Sequence, residues 1–129
     1  MASPVKDTEV VLGVTGGIAA YKAAELVRLL ITEGAVVHVV MTSAACRFIT
    51  PLTFQTLSGN PVATDLFSPA QEFQVGHIAL ADRAKVMVIA PATANVIGKI
   101  ASGIADDLLT TVVSATRAPV LLCPAMNVH

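Results

Sequence analysis

A buried strand, a glycine turn and an amphipathic helix follow one another directly between Val10 and Leu30, and this unit constrains the fold more than any other stretch. The run from Val10 to Val14 is apolar on both faces and too short for a helix, which is typical of a central parallel strand. The glycines of the turn Thr15–Gly17 allow positive φ angles and the close approach of a ligand. Apolar residues then recur at helical spacing from Ile18, and Gly34 stands where a C′ glycine would end the helix.

The turn after this first strand is a candidate anion site, because a strand that enters a helix this way directs free backbone N–H groups to its carboxyl end. Its glycines do not match the G-x-G-x-x-G dinucleotide fingerprint, since Thr15 takes the place of the second glycine. No Asp or Glu follows the next strand, where Met41 to Ser43 stand instead, and the P-loop pattern is also not met. The pattern leaves two interpretations open: an anion site, or a tight turn that binds nothing.

The composition favours one apolar domain that assembles with copies of itself. The chain has 129 residues, of which 54% are hydrophobic and 13% charged, and its mean hydropathy is +0.73. Charged residues interrupt every apolar stretch before it is long enough to span a membrane, so we expect the apolar surface to be buried between subunits. A net charge of −1 with scattered basic residues argues against nucleic acid as a partner. Residues 1–8 are polar and are predicted to be a flexible end, before a domain over residues 9–129.

Two cysteines without metal-ligand spacing and no signal peptide predict a reducing cytoplasm and no metal site. The histidines also form no recognisable metal cluster. His38 lies inside a predicted strand and is expected to be packed or at an edge. His77 follows a polar loop, Ser68 to Gly76, that is a candidate flap, and it begins a predicted helix. His77 is therefore better placed for chemistry, although a capping or solvated histidine is an equally open interpretation.

The remaining pattern predicts an α/β fold, a Rossmann-like (flavodoxin-like) three-layer sandwich with a mainly parallel sheet and helices on both faces. Four strands each end in a loop of small and hydroxyl residues, and in an open parallel sheet those ends share one edge, where ligands bind. The further predicted strands are Ala35 to Met41, Lys85 to Ala90 and Val120 to Cys123, with a weak strand at Pro61 to Phe67. The further predicted helices are Ala44 to Phe48, Leu52 to Leu57, one beginning at His77, Val96 to Ala101 and Ile104 to Ser114.

Five motifs in order, GVTGGIAAYK, MTSAACRFITPLTFQTLSGNPV, GHIALAD, APATANVIGKIASGIADDLLTT and PAMN, resemble those of the homo-oligomeric flavin-containing cysteine decarboxylases. The resemblance covers the chain from Glu9 onward and implies FMN as cofactor. It implies His77 as the catalytic histidine, and Met126 and Asn127 as substrate-binding residues, with Asn127 on the substrate carboxylate. The residues implied for the cofactor are Gly17, Ile18, Ala19, Thr42, Ser43, Phe48, Ala92, Thr93, Ala94, Asn95, Asp106 and Ala125.

The chemistry implied by the resemblance is FMN-dependent decarboxylation of 4′-phosphopantothenoylcysteine to 4′-phosphopantetheine in coenzyme A biosynthesis. His77 would help to remove the thiol proton, while the flavin carries the electrons. Family members are homotrimers or multiples of trimers, and a fused or separate phosphopantothenoylcysteine synthetase is an expected partner. Three alternatives stay open: a relative that acts on peptides ending in cysteine, a flavin prenyltransferase, or an FMN-binding subunit without catalysis.

The family pattern continues beyond PAMN, to a methionine and then to a later segment whose cysteine protonates the enethiol intermediate. Cys46 and Cys123 match neither position. We therefore expect that the 129 residues are a C-terminally truncated form of the domain.

Overall fold

The computed structural model describes residues 3–67 and 76–128, with the backbone alone at residues 76 and 77. The described residues form a parallel four-stranded sheet with helices on both faces, which confirms the predicted α/β three-layer fold. The strands are β1 (Glu9–Val14), β2 (Val36–Met41), β3 (Val86–Ala92) and β4 (Val120–Pro124). The helices are α1 (Ala20–Thr32), α2 (Pro51–Ser58), α3 (Gly76–Arg83), α4 (Ala94–Ala101) and α5 (Leu108–Ala115), with a 3-10 turn at Ala45–Arg47.

The strand order is β2-β1-β3-β4, so β1 is central and its two neighbours lie on opposite sides. Ala63 makes a single parallel bridge to Val40 beyond β2, which is all that the structure shows of the predicted weak strand at Pro61 to Phe67. The four strands alone follow the order of the flavodoxin arrangement, and counting the bridged segment as a further strand gives the Rossmann order. In both arrangements the topological switch point lies beside the carboxyl end of β1, here between β1 and β3.

Two apolar clusters hold the three layers together, one on each face of the sheet. Alternate β1 residues enter opposite clusters, since Val10, Leu12 and Val14 belong to one and Val11 to the other. The first cluster joins the sheet to α1 and α2, whereas the second joins it to α3, α4 and α5. Each strand buried on both faces reads as a continuous apolar run, which is why the sequence pattern identified it.

Local signals end the first two helices as the sequence predicts. Gly34 has φ +89° just after α1, and Gly59 has φ +74° at the end of α2, conformations that a residue with a Cβ rarely adopts. Pro51 is at the first position of α2. In contrast, α5 begins at Leu108 and not at Ile104, because Asp107 forms a capping box with Thr110 that starts the helix there.

Residues 3–8, part of the segment predicted to be a flexible end, form turns that are tied to the domain. The amide of Asp7 donates to the carbonyl of Gly34 at 2.8 Å, and Val5 packs against the first apolar cluster. This short segment therefore covers the amino edge of the sheet beside β1 and β2.

Candidate active site

A cleft of about 490 Å³ opens at the carboxyl ends of β1, β3 and β4, at the topological switch point. Its walls come from three turns that are distant in the chain. The lining residues are Gly16, Gly17, Ile18, Ala19, Thr93, Ala94, Ala125, Met126 and Asn127. The volume falls within the range of roughly 300–1,000 Å³ that is usual for small-molecule sites. Three of the four small-residue loops expected at this edge of the sheet therefore line the cleft, and the loop after β2 does not.

The two glycines of the first turn are required for space and not for backbone conformation. The positive φ angles recorded for glycines are those of Gly34, Gly59 and Gly103, so the expectation of positive φ at the turn is wrong. A Cβ added to Gly16 would lie 2.5 Å from the Cβ of Ala44. A Cβ added to Gly17 would instead approach only Cγ2 of Thr93, at 3.9 Å. Gly16 therefore permits close packing inside the protein, while Gly17 leaves open space in the cleft.

Two helices direct their N-termini at the cleft. Ala19 is the N-cap residue of α1 and supplies no side-chain hydrogen bond, so that backbone N–H groups of the first turn are not capped by a side chain. Thr93 is the N-cap residue of α4, and its Oγ1 accepts from the amide of Val96 at 3.3 Å. The positive ends of both helix dipoles therefore favour a negatively charged group in the cleft.

Thr15 joins the two principal walls of the cleft, a role that the sequence analysis did not assign. Its side chain is 1% exposed, and its Oγ1 donates to the carbonyl of Pro91 and accepts from the amide of Thr93 at 3.2 Å. One hydroxyl thus satisfies a backbone acceptor and a backbone donor of the turn after β3. The available signal was a hydroxyl residue at the end of an otherwise apolar strand.

Eight of the residues implied by the resemblance line the cleft together: Gly17, Ile18, Ala19, Thr93, Ala94, Ala125, Met126 and Asn127. Within this group Ile18 is 79% exposed and Met126 is 55% exposed, so both present apolar side chains at the surface of the cleft. The turn after β4 is held in place because the amide of Ala125 donates to the carbonyl of Ala92 at 3.1 Å.

Six further residues implied for the cofactor lie outside the lining of the cleft. Thr42 is buried, and its Oγ1 accepts from the amide of Ala45, the first residue of the 3-10 turn, at 3.1 Å. Ala92 is also buried, within the second apolar cluster. Asp106 is bound by Lys99, whose Nζ donates to both carboxylate oxygens at 3.1 Å. The remaining three, Ser43, Phe48 and Asn95, are exposed to solvent.

His77 lies in the first turn of α3. α3 ends at Arg83, and β3 begins at Val86. Because only two residues separate them, the last turn of α3 lies at the amino edge of the sheet. The first turn of α3 is therefore the end nearer the cleft. Residues 68–75 of the predicted flap lie outside the described residues. His38 is a packed residue, as expected, and its Nε2 lies 2.6 Å from Oε2 of Glu9.

A second, more apolar groove of about 330 Å³ continues from the cleft along α1, since Ala19 and Ala125 line both. Lys22 and Cys123 also line this groove. Cys46 and Cys123 are free thiols, and partial burial raises the pKa of Cys46 above its usual value.

Among the residues that the structure describes, no group of three or more His, Cys, Asp or Glu side chains is arranged to hold a metal ion. The helices within 3–67 and 76–128 are all too short or too polar to cross a membrane.

Comparisons with known proteins give the family. The family model for flavoproteins matches residues 2–129. The coenzyme A biosynthesis bifunctional protein CoaBC of Vibrio cholerae is 56% identical over 119 residues, which are 92% of this chain and 30% of that protein. CoaBC of Bacillus subtilis is 54% identical over 125 residues, which are 97% of this chain and 31% of that protein. The chain therefore spans about a third of the length of these curated relatives.

Solved structures share the fold. A PPC decarboxylase mutant in complex with pantothenoylaminoethenethiol is 32% identical, with a TM-score of 0.75 over 95% of this chain and 68% of that chain. The FMN-dependent cysteine decarboxylase TvaF from thioviridamide biosynthesis is 29% identical, with a TM-score of 0.84 over 94% of this chain and 75% of that chain. The position of the cleft, the strand order of the sheet and the match over residues 2–129 agree, and the chain belongs to the flavoprotein family.

Proposed function

We propose that this chain is the decarboxylase part of a coenzyme A biosynthesis protein, and that it uses FMN to convert 4′-phosphopantothenoylcysteine to 4′-phosphopantetheine. The observation that carries the proposal is the cleft of small residues between two helix N-termini at the switch point of the sheet. Support also comes from the identity of 56% over 30% of the length of a CoaBC protein, and from the structural likeness to a PPC decarboxylase.

The described residues fit a flavin nucleotide in shape and charge. Gly17 has nothing but Cγ2 of Thr93 within 4 Å of an added Cβ, so a flat ring is free to approach the backbone there. Ala19, Ala94 and Ala125 offer short side chains to the same space. The N-terminus of α1, which has no side-chain cap, suits an anionic phosphate or a polar ring edge. When bound, FMN supplies an acceptor for two electrons, which no protein side chain in the cleft provides.

The chain's own residues are proposed to bind and orient the substrate and to move one proton. The side-chain amide of Asn127, an exposed residue on the wall after β4, donates to the substrate carboxylate and orients it. Met126 presents an apolar surface beside it. His77 accepts the proton of the substrate thiol, a role supported by the resemblance and by its place in the first turn of α3.

The residues outside the lining keep proposed roles at the periphery of the cofactor. Thr42 and Ser43 follow β2 at the same edge of the sheet as the cleft, and Phe48 is 53% exposed just after the 3-10 turn. We propose that these three contact the phosphate and the ribityl chain. Asn95, in the first turn of α4, and Asp106 are proposed to complete the cofactor site, with Ala92 supporting it from within the core.

We further propose that the protein works as a homotrimer, or a multiple of trimers, in the cytoplasm, alongside a fused or separate phosphopantothenoylcysteine synthetase. Exposed apolar side chains support the assembly, since Ile18 is 79% exposed and Leu52 is 68% exposed. The free thiols support a reducing compartment. The relatives that carry both activities in one bifunctional protein support the synthetase partner.

Decarboxylation of a peptide that ends in cysteine is the second candidate. It is favoured by the TM-score of 0.84 to TvaF, against 0.75 for the PPC decarboxylase. The sequence favours the first candidate, because identity is 56% to CoaBC and 29% to TvaF.

One experiment separates these functions. The protein is reconstituted with FMN and offered phosphopantothenoylcysteine, a peptide ending in cysteine, or a prenyl phosphate, and products are identified by mass spectrometry while released carbon dioxide is counted. We expect carbon dioxide and a decarboxylated product, either phosphopantetheine or its enethiol precursor, from the first substrate, and no carbon dioxide when serine replaces its cysteine. Decarboxylation of the peptide or prenylation of FMN would select an alternative, and bound FMN with no reaction of any of the three substrates would select the non-catalytic subunit. Failure to bind FMN would refute the proposal.

A further inference from the structure

The hydroxyl of Thr15 lies outside the lining of the cleft, buried between the two turns that form the principal walls of the cleft. Its Oγ1 donates to the carbonyl of Pro91, which precedes the second wall, and accepts from the amide of Thr93 within that wall. These partners are 76 and 78 residues away in the chain. The strands β1 and β3 are joined by backbone hydrogen bonds, and the Thr15 hydroxyl adds a direct polar contact between the turns that follow them.

The hydrogen bond from the Thr93 amide to the Thr15 hydroxyl fixes the backbone at the start of α4. Thr93 is the N-cap residue of α4, so its amide lies immediately before the first turn of the helix. By fixing that amide, Thr15 sets the direction in which the N-terminus of α4 faces the cleft. On its other side Thr15 is bonded covalently to Gly16, which packs against Ala44 and begins the opposite wall.

The width of the cleft follows from this arrangement. A Cβ on Gly17 would lie 3.9 Å from Cγ2 of Thr93, so at this point the two walls are separated by the space that one methyl group would fill in ordinary van der Waals contact. Without the Thr15 hydroxyl, the carbonyl of Pro91 and the amide of Thr93 would lose their buried partner and the turn would have to move to find another.

We propose that Thr15 is a positioning residue for the flavin: its hydroxyl sets the separation of the Gly17 wall and the Thr93 wall, and thereby the affinity for FMN. This inference rests on the proposed function of the cleft. It differs from a purely structural role, in which the hydroxyl would contribute to the stability of the fold and leave the affinity of the folded protein unchanged.

The variants for the test are Thr15→Ser, Thr15→Cys and Thr15→Val. Serine keeps the hydroxyl, cysteine keeps a weak donor and acceptor, and valine has the same shape without either. Thr116→Val is the matched control, because the Oγ1 of Thr116 also bridges two backbone groups, donating to the carbonyl of Ala81 at 3.0 Å and accepting from the amide of Ala118 at 3.1 Å. Thr116 lies between α5 and β4, at the amino edge of the sheet, away from the cleft.

Two measurements are made on each folded variant: the Kd of FMN by flavin fluorescence, and amide hydrogen exchange without FMN. We expect Thr15→Ser to stay within about threefold of the wild-type Kd, Thr15→Val to weaken binding at least tenfold, and Thr15→Cys to lie between them. Thr116→Val should lower the melting temperature and leave the Kd unchanged. Exchange at Thr93 to Val96 should be faster in Thr15→Val than in Thr116→Val.

The outcomes separate the inference from the function on which it rests. A Thr15→Val variant that binds FMN as tightly as Thr116→Val would overturn the inference, and so would equal exchange at Thr93 to Val96 in the two variants. If Thr15→Val does not fold, the comparison of Thr15→Cys with Thr15→Ser decides by the same two criteria. If the wild type itself binds no FMN, the proposed function fails, while the exchange data still decide whether Thr15 positions the turn.

Discussion

The addition of one methyl group should have different effects at the two adjacent glycines of the turn after β1. We expect Gly16→Ala to lower the stability of the fold and Gly17→Ala to weaken the binding of FMN. In Gly16→Ala the new Cβ would lie 2.5 Å from the Cβ of Ala44 and 2.9 Å from its backbone carbonyl carbon. Carbon atoms in van der Waals contact stand about 3.5–4.0 Å apart, so the backbone has to move. In Gly17→Ala the new Cβ makes an ordinary contact of 3.9 Å with Cγ2 of Thr93 and otherwise projects into the cleft.

The free energies follow from these distances. Overpacking against backbone costs about 1–3 kcal/mol, so Gly16→Ala should lower the melting temperature of the FMN-free protein by about 4–12 °C. Gly17→Ala should change the stability by less than about 1 kcal/mol, since nothing clashes and the unfolded chain loses freedom. Its methyl group occupies the space proposed for the flavin, and we expect the Kd of FMN to rise at least tenfold, which is about 1.4 kcal/mol.

The assay is thermal unfolding of the FMN-free variants combined with titration by FMN. Gly98→Ala is the control, because an added Cβ at this exposed helical glycine has nothing within 4 Å. It should stabilise the protein by roughly 0.5–1 kcal/mol and leave FMN binding unchanged. Wild-type stability in Gly16→Ala would refute the packing argument, and wild-type affinity in Gly17→Ala would refute the placement of the flavin.

Four further expectations address the chemistry, the assembly and the fold. His77→Asn should bind FMN normally but slow flavin reduction by substrate about a hundredfold to ten-thousandfold in single-turnover absorbance measurements, and near-normal reduction would remove its role. Asn127→Asp should raise KM and keep the Kd of FMN, because two carboxylates repel; an unchanged KM would argue against contact with the substrate carboxylate. Asp107→Ala removes the capping box of α5 and should cost about 1 kcal/mol of unfolding free energy in urea titrations, whereas a smaller loss than about 0.5 kcal/mol would contradict the capping argument. Light scattering should give the mass of three chains or a multiple of three, and a stable monomer with bound FMN would contradict the proposed assembly.

The sequence predicts the layers of this fold well because β1 and β2 are buried on both faces and the first two helices end at glycines. β1, β2, β3 and β4 all read as short apolar runs, and Gly34 and Gly59 take the left-handed conformation that their positions after helices require. The predicted start of α5 is too early. The apolar pattern begins at Ile104, whereas the local hydrogen bonds of Asp107 determine the first turn.

The site was predictable as a location but not as a set of contacts. Small residues after parallel strands indicate a shared edge, and the structure brings seven of them around one cleft, together with Ile18 and Met126. Glycine is needed at position 16 because Ala44 packs against it, and the role of Thr15 arises from its hydrogen bonds to the turn after β3. Such contacts arise only when distant segments pack, so no local pattern encodes them.

The connection between Thr15 and Pro91 also has a consequence for the order in which the chain folds. The contact between Glu9 and His38 closes a loop of 29 residues, whereas the contact between Thr15 and Pro91 closes one of 76. The longer closure costs about 0.9 kcal/mol more in chain entropy, so the β1–β2 half has the advantage in forming first. The cleft exists only once β3 has docked beside β1, and capture of flavin should therefore report the late, long-range step of folding and not the early collapse.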